Sequence, residues 1–115
     1  MELIVILKAL ADQTRLRMLH LLKERELCVC EIGEVLGIQQ SNASRHLDKL
    51  RNAGLVCSEK GAQWVYYRLN EETFRRYPFL RLIIHDEASK LPCCREDLVR
   101  LQHVKGCESC LPPSL

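Results

Sequence analysis

The chain has 115 residues, of which 47% are hydrophobic and 28% are charged, and its formal net charge is +2. This length fits one domain with a modest core, and the composition is typical of a soluble globular protein. The longest apolar run, residues 3–7, is too short to span a membrane, and no basic start or cleavage site indicates a signal peptide. We therefore expect a cytoplasmic protein.

Positive charge is concentrated in the middle third of the chain. Residues 39–70 hold five basic and two acidic side chains, whereas residues 1–38 hold five and six and residues 71–115 hold seven of each. The middle third is therefore the part that we expect to face an anion such as DNA.

The first third predicts three helices. Residues 3–11 form the first, and Asp12 or Thr14 can cap the second by accepting a hydrogen bond from an unpaired backbone N–H. The second helix has an apolar face that consists of Leu16, Met18, Leu19 and Leu22. Residues 27–36 predict a short third helix, which Gly37 ends because glycine adopts a left-handed conformation without steric cost.

A fourth helix is predicted from Gln40 to Asn52, with Gly54 ending it. Its apolar residues recur at helical spacing and form a buried stripe of Ala43, Leu47 and Leu50. Two strand-like runs, residues 55–59 and 64–69, follow as a β-hairpin. Helix, turn, helix and hairpin together predict a winged helix-turn-helix, a mainly α fold with a small β-hairpin.

The last part of the chain predicts two further helices. Residues 71–90 form a helical stretch that Pro78 must kink or split, and a short helix follows at about residues 95–104. The first of these stretches is too apolar for one chain to cover, so we expect a homodimer formed through the terminal helices. We divide the chain into a DNA-binding and dimerisation domain, residues 1–90, and a cysteine-containing tail, residues 91–115.

The fourth helix is the candidate DNA-reading element, because a recognition helix places its first residues against base edges in the major groove. Its exposed face predicts base contacts from Gln40, Ser41, Asn42 and Arg45. Ser44 and His46 are predicted to touch phosphates or to hold the helix in place. Lys60 and Gln63, at the hairpin tip, are positioned to reach the DNA backbone or the minor groove.

Seven cysteines are many for this length, and their odd number and clustering favour thiolate ligands or redox thiols over structural disulfides. Cys57 lies in an apolar run and predicts a small core residue. Cys28 and Cys30 stand at the start of the third helix, where a regular helix would point them about 200° apart. Both can bind one ion only if that helix start is distorted.

Five stretches resemble the ArsR/SmtB family of bacterial metal-sensing repressors over about residues 5–70: residues 10–16, 26–31, 41–47, 50–56 and 64–69. The resemblance implies a homodimeric winged-helix protein that binds a palindromic operator in double-stranded DNA, represses an operon and is released when metal binds. The Cys28–Cys30 pair resembles the branch of the family that senses arsenic, antimony, cadmium and lead.

Soft metals select sulfur, and As(III) and Sb(III) prefer three thiolates. Arsenic sensors of the family have a third cysteine one helical turn after the pair, where this chain has Gly33. The missing ligand can come from the remaining clustered cysteines, or the site can have two ligands. These further cysteines are Cys93, Cys94, Cys107 and Cys110.

Other interpretations of the cysteines and of the inducer remain open from the sequence alone. The four later cysteines can form a site alone, and Cys107 and Cys110 have a spacing that suits tetrahedral zinc. Cd(II) or Pb(II) is the nearest alternative inducer. A repressor that responds to thiol oxidation would keep the same fold and DNA face. We do not expect an enzyme, because no thioredoxin-like Cys-x-x-Cys and no catalytic Cys–His–Asp grouping is present.

Overall fold

The computed structural model describes residues 2–61 and 65–104. The first four helices are α1 (Glu2–Leu10), α2 (Gln13–Leu22), α3 (Val29–Leu36) and α4 (Gln40–Asn52). Three strands are described, β1 (Leu27–Cys28), β2 (Val56–Lys60) and β3 (Val65–Leu69). The later helices are α5 (Glu71–Arg76), α6 (Phe79–Arg81) and α7 (Pro92–Gln102). The predicted winged helix-turn-helix, mainly α with a small β-hairpin, is confirmed.

Several local signals act as the sequence predicts. Asp12, rather than Thr14, caps α2, and its carboxylate accepts a hydrogen bond from the backbone N–H of Arg15 at 3.0 Å. Gly37 and Gly54 have φ angles of +70° and +80°, and each follows the end of a helix. Glycine is favoured at both places because a Cβ would strain a left-handed backbone. These turns fix the angle between α3 and α4 and the entry into the hairpin.

The predicted third helix is wrong at its start. Leu27 and Cys28 form the short strand β1, and the helix begins at Val29. Leu27 pairs with Tyr67 and Cys28 with Tyr66, so the described strands form a sheet in the order β1-β3-β2. A pairing with a strand about forty residues later leaves no local periodic signal, which is why sequence reasoning missed it.

The hairpin strands lie close to their predicted positions. β2 runs from Val56 to Lys60, one residue later than predicted, and β3 runs from Val65 to the predicted end at Leu69, with Val56 opposite Leu69. Trp64, the predicted first residue of the second strand, lies outside the described residues. Leu55 lies in the core just before β2. Cys57 is half-buried, so it is less enclosed than the small core residue that its apolar surroundings predicted.

Pro78 splits the predicted fifth helix rather than kinking it. Helix α5 ends at Arg76, Tyr77 has non-helical backbone angles, and α6 begins after the proline. The backbone then continues as a π-helical turn, Leu82–Glu87, and a 3₁₀ turn, Ala88–Lys90. Proline explains the break, because it removes a backbone donor and clashes with the preceding turn.

The last described helix begins earlier than predicted, at Pro92, and therefore includes Cys93 and Cys94. Proline suits the first turn of a helix because its missing N–H needs no partner there. Helix α7 packs against α2 and α3, and Leu101 joins the hydrophobic core. The division of the chain at residue 90 stays a prediction, and α7 is in contact with the helices of the DNA-binding part.

A buried carboxylate fixes α7 to α2. Asp97 is fully buried and accepts hydrogen bonds from Arg17 Nε at 2.9 Å and Arg17 Nη2 at 2.8 Å. Arg100 Nη2 donates to the same carboxylate at 2.7 Å, and its Nε donates to the carbonyl of Val35 at 2.9 Å. Arg100 therefore links the buried carboxylate to the end of α3.

Part of α1 presents an apolar surface to solvent. Leu3, Ile4, Val5 and Leu7 of this helix are exposed, and so is Leu82 in the π-helical turn. Among the described helices, none is long and apolar enough to cross a membrane. Exposed apolar side chains on the first and a late helix agree with the surfaces that the sequence assigns to dimerisation.

Replacing Asp97 with alanine should lower the free energy of unfolding by about 3 kcal/mol, because Arg17 then lies partly buried without its anion. Chemical denaturation monitored by circular dichroism measures the loss. Glu96→Ala is the matched control, since Glu96 is an exposed acidic residue of the same helix and should change stability by less than about 0.5 kcal/mol. Equal losses in the two variants would contradict the importance of the buried carboxylate.

Candidate metal site and nucleic-acid interface

The structure brings the Cys28 and Cys30 side chains together. Their Sγ atoms are 3.2 Å apart. Two metal–sulfur bonds of about 2.3 Å each span such a gap easily. From the sequence we expected that Cys28 and Cys30 could bind one ion only if the start of the helix were distorted. In the structure α3 begins after Cys28, whose backbone is extended with φ −86° and ψ 165°. The change from strand to helix between the two residues turns both sulfurs to the same side.

The start of α3 is closed by reciprocal capping. The backbone N–H of Cys28 donates to Glu31 Oε1 at 3.0 Å, and Cys28 Sγ accepts from the backbone N–H of Glu31. Arg25 lies 3.5 Å from the other oxygen of Glu31. Cys28 thus serves as the cap of the helix, so any group that binds its sulfur acts on the first turn of α3.

The two sulfurs differ in exposure. Cys28 is 1% exposed, and burial raises the pKa of its thiol to about 11, although the backbone N–H groups of Glu31 and Cys30 act in the opposite direction. Cys28 is therefore a neutral thiol at neutral pH. Cys30 is half-buried.

A second pair of cysteines lies in the first turn of α7. Cys94 is fully buried, and burial, with Cys93 beside it, raises the pKa of its thiol to about 12. Cys93 is half-buried, and Gln13 Nε2 lies 3.5 Å from its Sγ. Cys107 and Cys110 lie outside the described residues. Within residues 2–61 and 65–104, no three His, Cys, Asp or Glu side chains form a group that could hold a metal ion.

The predicted DNA-reading face lies on the outer side of α4. Gln40, Ser41 and Arg45 are exposed, and Asn42 and Ser44 are half-buried. An open depression of about 630 Å³ lies at the start of this helix, lined by Ile38, Gln39, Ser41, Asn42 and Arg45. Lys60 is exposed at the end of β2, and Gln63 lies outside the described residues. The inner stripe of Ala43, Leu47 and Leu50 is fully buried and anchors the helix.

His46 has a structural contact. Arg15 Nη1 of α2 lies 3.2 Å from His46 Nδ1, which must accept because arginine only donates. Burial lowers the pKa of His46, which favours the neutral form that can accept. Of the two roles predicted for His46, holding the helix is the one that this contact supports.

Sequence reasoning missed two arginines of α2, Arg15 and Arg17, that join this helix to other helices. Arg15 also donates to the carbonyl of Ala9 at 2.7 Å and so joins α1, α2 and α4. Arg17 and Asp97 are separated by 80 positions in the sequence. A single sequence gives no signal for such a distant pair, since arginine and aspartate are usually solvent-exposed.

Comparisons with known proteins agree with the winged helix-turn-helix fold. A family model described as "Bacterial regulatory protein, arsR family" matches residues 12–58. The chain is 49% identical over 69 residues to the arsenic resistance transcriptional regulator ArsR1 of Pseudomonas putida. This match covers 59% of this chain and 54% of the relative. It is 37% identical over 73 residues to a CadC homolog of Staphylococcus aureus, described as a cadmium resistance transcriptional regulatory protein, with 63% of this chain and 60% of the relative covered. The chain thus spans little more than half the length of these curated relatives.

Solved structures give the same result over more of their length. HlyU from Vibrio cholerae is 39% identical with a TM-score of 0.57, and the match covers 67% of this chain and 92% of HlyU. A homodimeric winged helix-turn-helix DNA-binding domain from Mycobacterium bovis, a possible ArsR-family regulator, is 27% identical with a TM-score of 0.64. That match covers 79% of this chain and 85% of the domain from Mycobacterium bovis. Regulators rather than enzymes share this fold and sequence, as we expected. The chain therefore belongs to the ArsR family of bacterial regulatory proteins.

Proposed function

We propose that this protein is a transcriptional repressor that binds operator DNA through α4 and is released when As(III) or Sb(III) binds to cysteine thiolates. The observation that carries the proposal is the 3.2 Å separation of the Cys28 and Cys30 sulfurs at the first turn of α3. Soft, thiophilic ions suit two adjacent sulfurs better than any other ligand class. The similarity to an arsenic resistance regulator supports the same choice of inducer.

The DNA contact is made by the exposed side of α4. Gln40, Ser41, Asn42 and Arg45 read base edges, and Lys60 together with Gln63 contacts the DNA outside the major groove. Ser44 touches a phosphate, while His46 holds α4 against α2. Arg45 is the strongest base-reading candidate because a guanidinium can donate two hydrogen bonds to guanine.

Release follows from the position of the sulfurs. Cys28 is both the last residue of β1 and the cap of α3, and α3 leads through the Gly37 turn into α4. An ion that draws Cys28 towards Cys30 competes with the capping contacts of Glu31 and with the β1–β3 pairing. The ion therefore stabilises a different orientation of α3 and, through α3, of the recognition helix α4. A coupling of about 1–3 kcal/mol is enough to derepress, since this lowers DNA affinity about 5- to 150-fold.

The protein acts as a homodimer on a two-fold operator. Exposed apolar residues of α1, with Leu82, supply a surface that a second copy covers. The similar domain from Mycobacterium bovis is homodimeric. Two recognition helices related by a two-fold axis match two half-sites about one turn of DNA apart.

Cd(II), or Pb(II) by the same chemistry, is the second candidate inducer, and the similarity to a cadmium resistance regulator favours it. The two ion classes differ in proton balance. Arsenite binds as uncharged As(OH)₃, and each thiol proton leaves with a hydroxide as water, so no net proton is released. Cd²⁺ releases one proton for every thiol that it binds.

Arg45→Ala should weaken operator binding by about 1–3 kcal/mol, because one bidentate base contact is lost. Fluorescence anisotropy with operator DNA and with a random duplex measures the effect. Arg75→Ala is the matched control, since it removes the same charge from an exposed residue of α5. If both variants lose the same affinity, Arg45 contributes charge alone and does not read a base.

As(III) should release the wild-type protein from its operator under reducing conditions, and Cys30→Ser and Cys28→Ser should each abolish that release. Both variants should bind operator normally without arsenic, and Cys57→Ser, which changes a half-buried cysteine on β2, should respond like the wild type. Anisotropy titrations measure each curve. Release by peroxide but not by As(III) would contradict the proposal and favour the thiol-redox repressor. Release that survives loss of Cys28 and Cys30 but not of Cys93 and Cys94 would move the sensor to α7.

The raised pKa of Cys28, about 11, predicts different pH profiles for the two ion classes. Cys28 binds its proton throughout the neutral range, so Cd(II) affinity should rise about tenfold per pH unit for each proton released, between about pH 6 and pH 8. Arsenite affinity should stay nearly constant over that range. Isothermal titration calorimetry in buffers of different ionisation enthalpy counts the protons. A proton release by arsenite equal to that by Cd(II) would contradict this balance.

A further inference from the structure

We infer that the cleft between α1 and the end of α4 is a second contact with DNA, in which Lys8 and Lys49 bind phosphates of the backbone. This inference rests on the proposed function, because it extends the DNA contact made by α4. Three observations carry it: the basic lining of the cleft, the lack of acidic partners for the two lysines, and the position of Lys49 beside the base-reading residues.

The cleft is open and basic. Its volume is about 280 Å³, and it lies where α1, the first turns of α2 and the end of α4 meet. Its lining includes three cations, Lys8, Arg15 and Lys49, and the amide of Asn52. None of the described residues that line the cleft is acidic. A concave surface lined by charge of one sign attracts an anion more strongly than the same charges spread over a flat surface.

Arg15 forms the rigid wall of the cleft. Its Nε donates to the carbonyl of Ala9 at 2.7 Å, its Nη1 lies 3.2 Å from His46 Nδ1, and the Asp12 carboxylate lies 3.7 Å from the same Nη1. These contacts use Arg15 to hold the three helices together. Lys8 and Lys49 are exposed, so they are the cations of the cleft that remain for a ligand.

The two lysines differ from most basic side chains of this protein, which lie beside a carboxylate. Within residues 2–61 and 65–104, neither Lys8 nor Lys49 takes part in an ion pair. The same holds there for Arg45, Lys60 and Arg95, and Arg45 and Lys60 already belong to the proposed DNA contact. A cation without an acidic neighbour keeps its full attraction for a phosphate. The charge left unneutralised in the described chain is therefore concentrated on α4, the hairpin and this cleft.

Lys49 lies on the same flank of α4 as two base-reading candidates. It follows Arg45 by four residues and Asn42 by seven, and such spacings return to nearly the same side of a helix because each residue advances about 100°. Lys49 therefore continues the line of Asn42 and Arg45 by one turn, a rise of about 6 Å. A DNA strand whose bases face Arg45 can place a phosphate beside Lys49.

His46 lies among these cations. Burial is the main cause that lowers the pKa of His46, and the negative charge of Asp12 acts in the opposite direction. The positive charges of Arg15, Arg45 and Lys49 lower the pKa of His46 further. The three cations thus act on one point between the base-reading residues and the cleft.

The cleft can stay open when the protein dimerises. Val5 and Lys8 of α1 line the cleft, whereas Leu3 and Leu7 lie about 100–160° away from them around the helix. A second copy can therefore cover Leu3 and Leu7 without closing the cleft. Phosphate contacts there would fix the position of α4 in the major groove and would carry no sequence information.

The test measures binding of the full, reduced, metal-free chain to a fluorescein-labelled duplex of random sequence by anisotropy over a series of salt concentrations. Each phosphate contact contributes about 0.9 to the slope of log affinity against log salt concentration. Lys8→Gln/Lys49→Gln should bind more weakly and should lower the slope by about 1.8, the value for two contacts. Lys8→Arg/Lys49→Arg should keep the wild-type slope, since it keeps both charges. The fold-loss on operator DNA should equal that on the random duplex.

Arg95→Gln is the matched control, because Arg95 is an exposed cation of α7 that also lacks an ion pair in the described chain, and it should leave the slope unchanged. An unchanged slope in Lys8→Gln/Lys49→Gln, or an equal change in Arg95→Gln, would overturn the inference and leave the proposed function intact. A loss limited to operator DNA would also overturn it, because the lysines would then read bases. So would dissociation of the dimer in the lysine variant, measured by sedimentation velocity. Failure of the wild type to bind either duplex would overturn the proposed function as well.

Discussion

The pairing of Leu27 and Cys28 with Tyr67 and Tyr66 is the contact on which the rest of the site depends. It keeps Cys28 in an extended conformation, so that α3 begins one residue later and Cys28 becomes its cap. It also joins the hairpin to the start of the helix-turn-helix, since β3 pairs with β1 on one side and with β2 on the other. Strand pairing, helix capping and the approach of two sulfurs thus all involve one residue, Cys28.

This placement sets a condition on any ion that binds the sulfur pair of the proposed site. Burial raises the pKa of the Cys28 thiol to about 11, so this thiol keeps its proton at neutral pH. An ion binds Cys28 only if the free energy of its bond to sulfur exceeds the cost of removing that proton, or if the proton leaves with a hydroxide of the ion as water. In the proposed site, selectivity for soft ions would therefore follow from the burial of a cap residue as much as from the identity of the ligand.

Local sequence signals predicted the framework well. Asp12 acts on a backbone N–H three residues away, and Gly37 and Gly54 act through their own backbone. The stripe of Ala43, Leu47 and Leu50 sets the inner face of α4. One sequence is enough to place all of these local features. The start of α3 and the packing of α7 depend instead on residues about forty and eighty positions away. No periodicity or propensity records such contacts. The sequence thus pointed to Cys28 and Cys30 as a candidate metal-binding pair, which stays a prediction, but it did not show why their sulfurs lie 3.2 Å apart.

The arginines explain how a change at α3 can reach α4. Arg100 ties the end of α3 to α7, and Arg15 ties α4 to α1 and α2 through His46 and the Ala9 carbonyl. Each end of the helix-turn-helix is thus attached to a different support, and the first turn of α3, which carries Cys28 and Cys30, is held by capping contacts and a two-residue strand. In the proposed mechanism, an ion bound at that turn acts on the capping contacts and on the strand. The recognition helix would then change its orientation while the buried core on both sides stays intact.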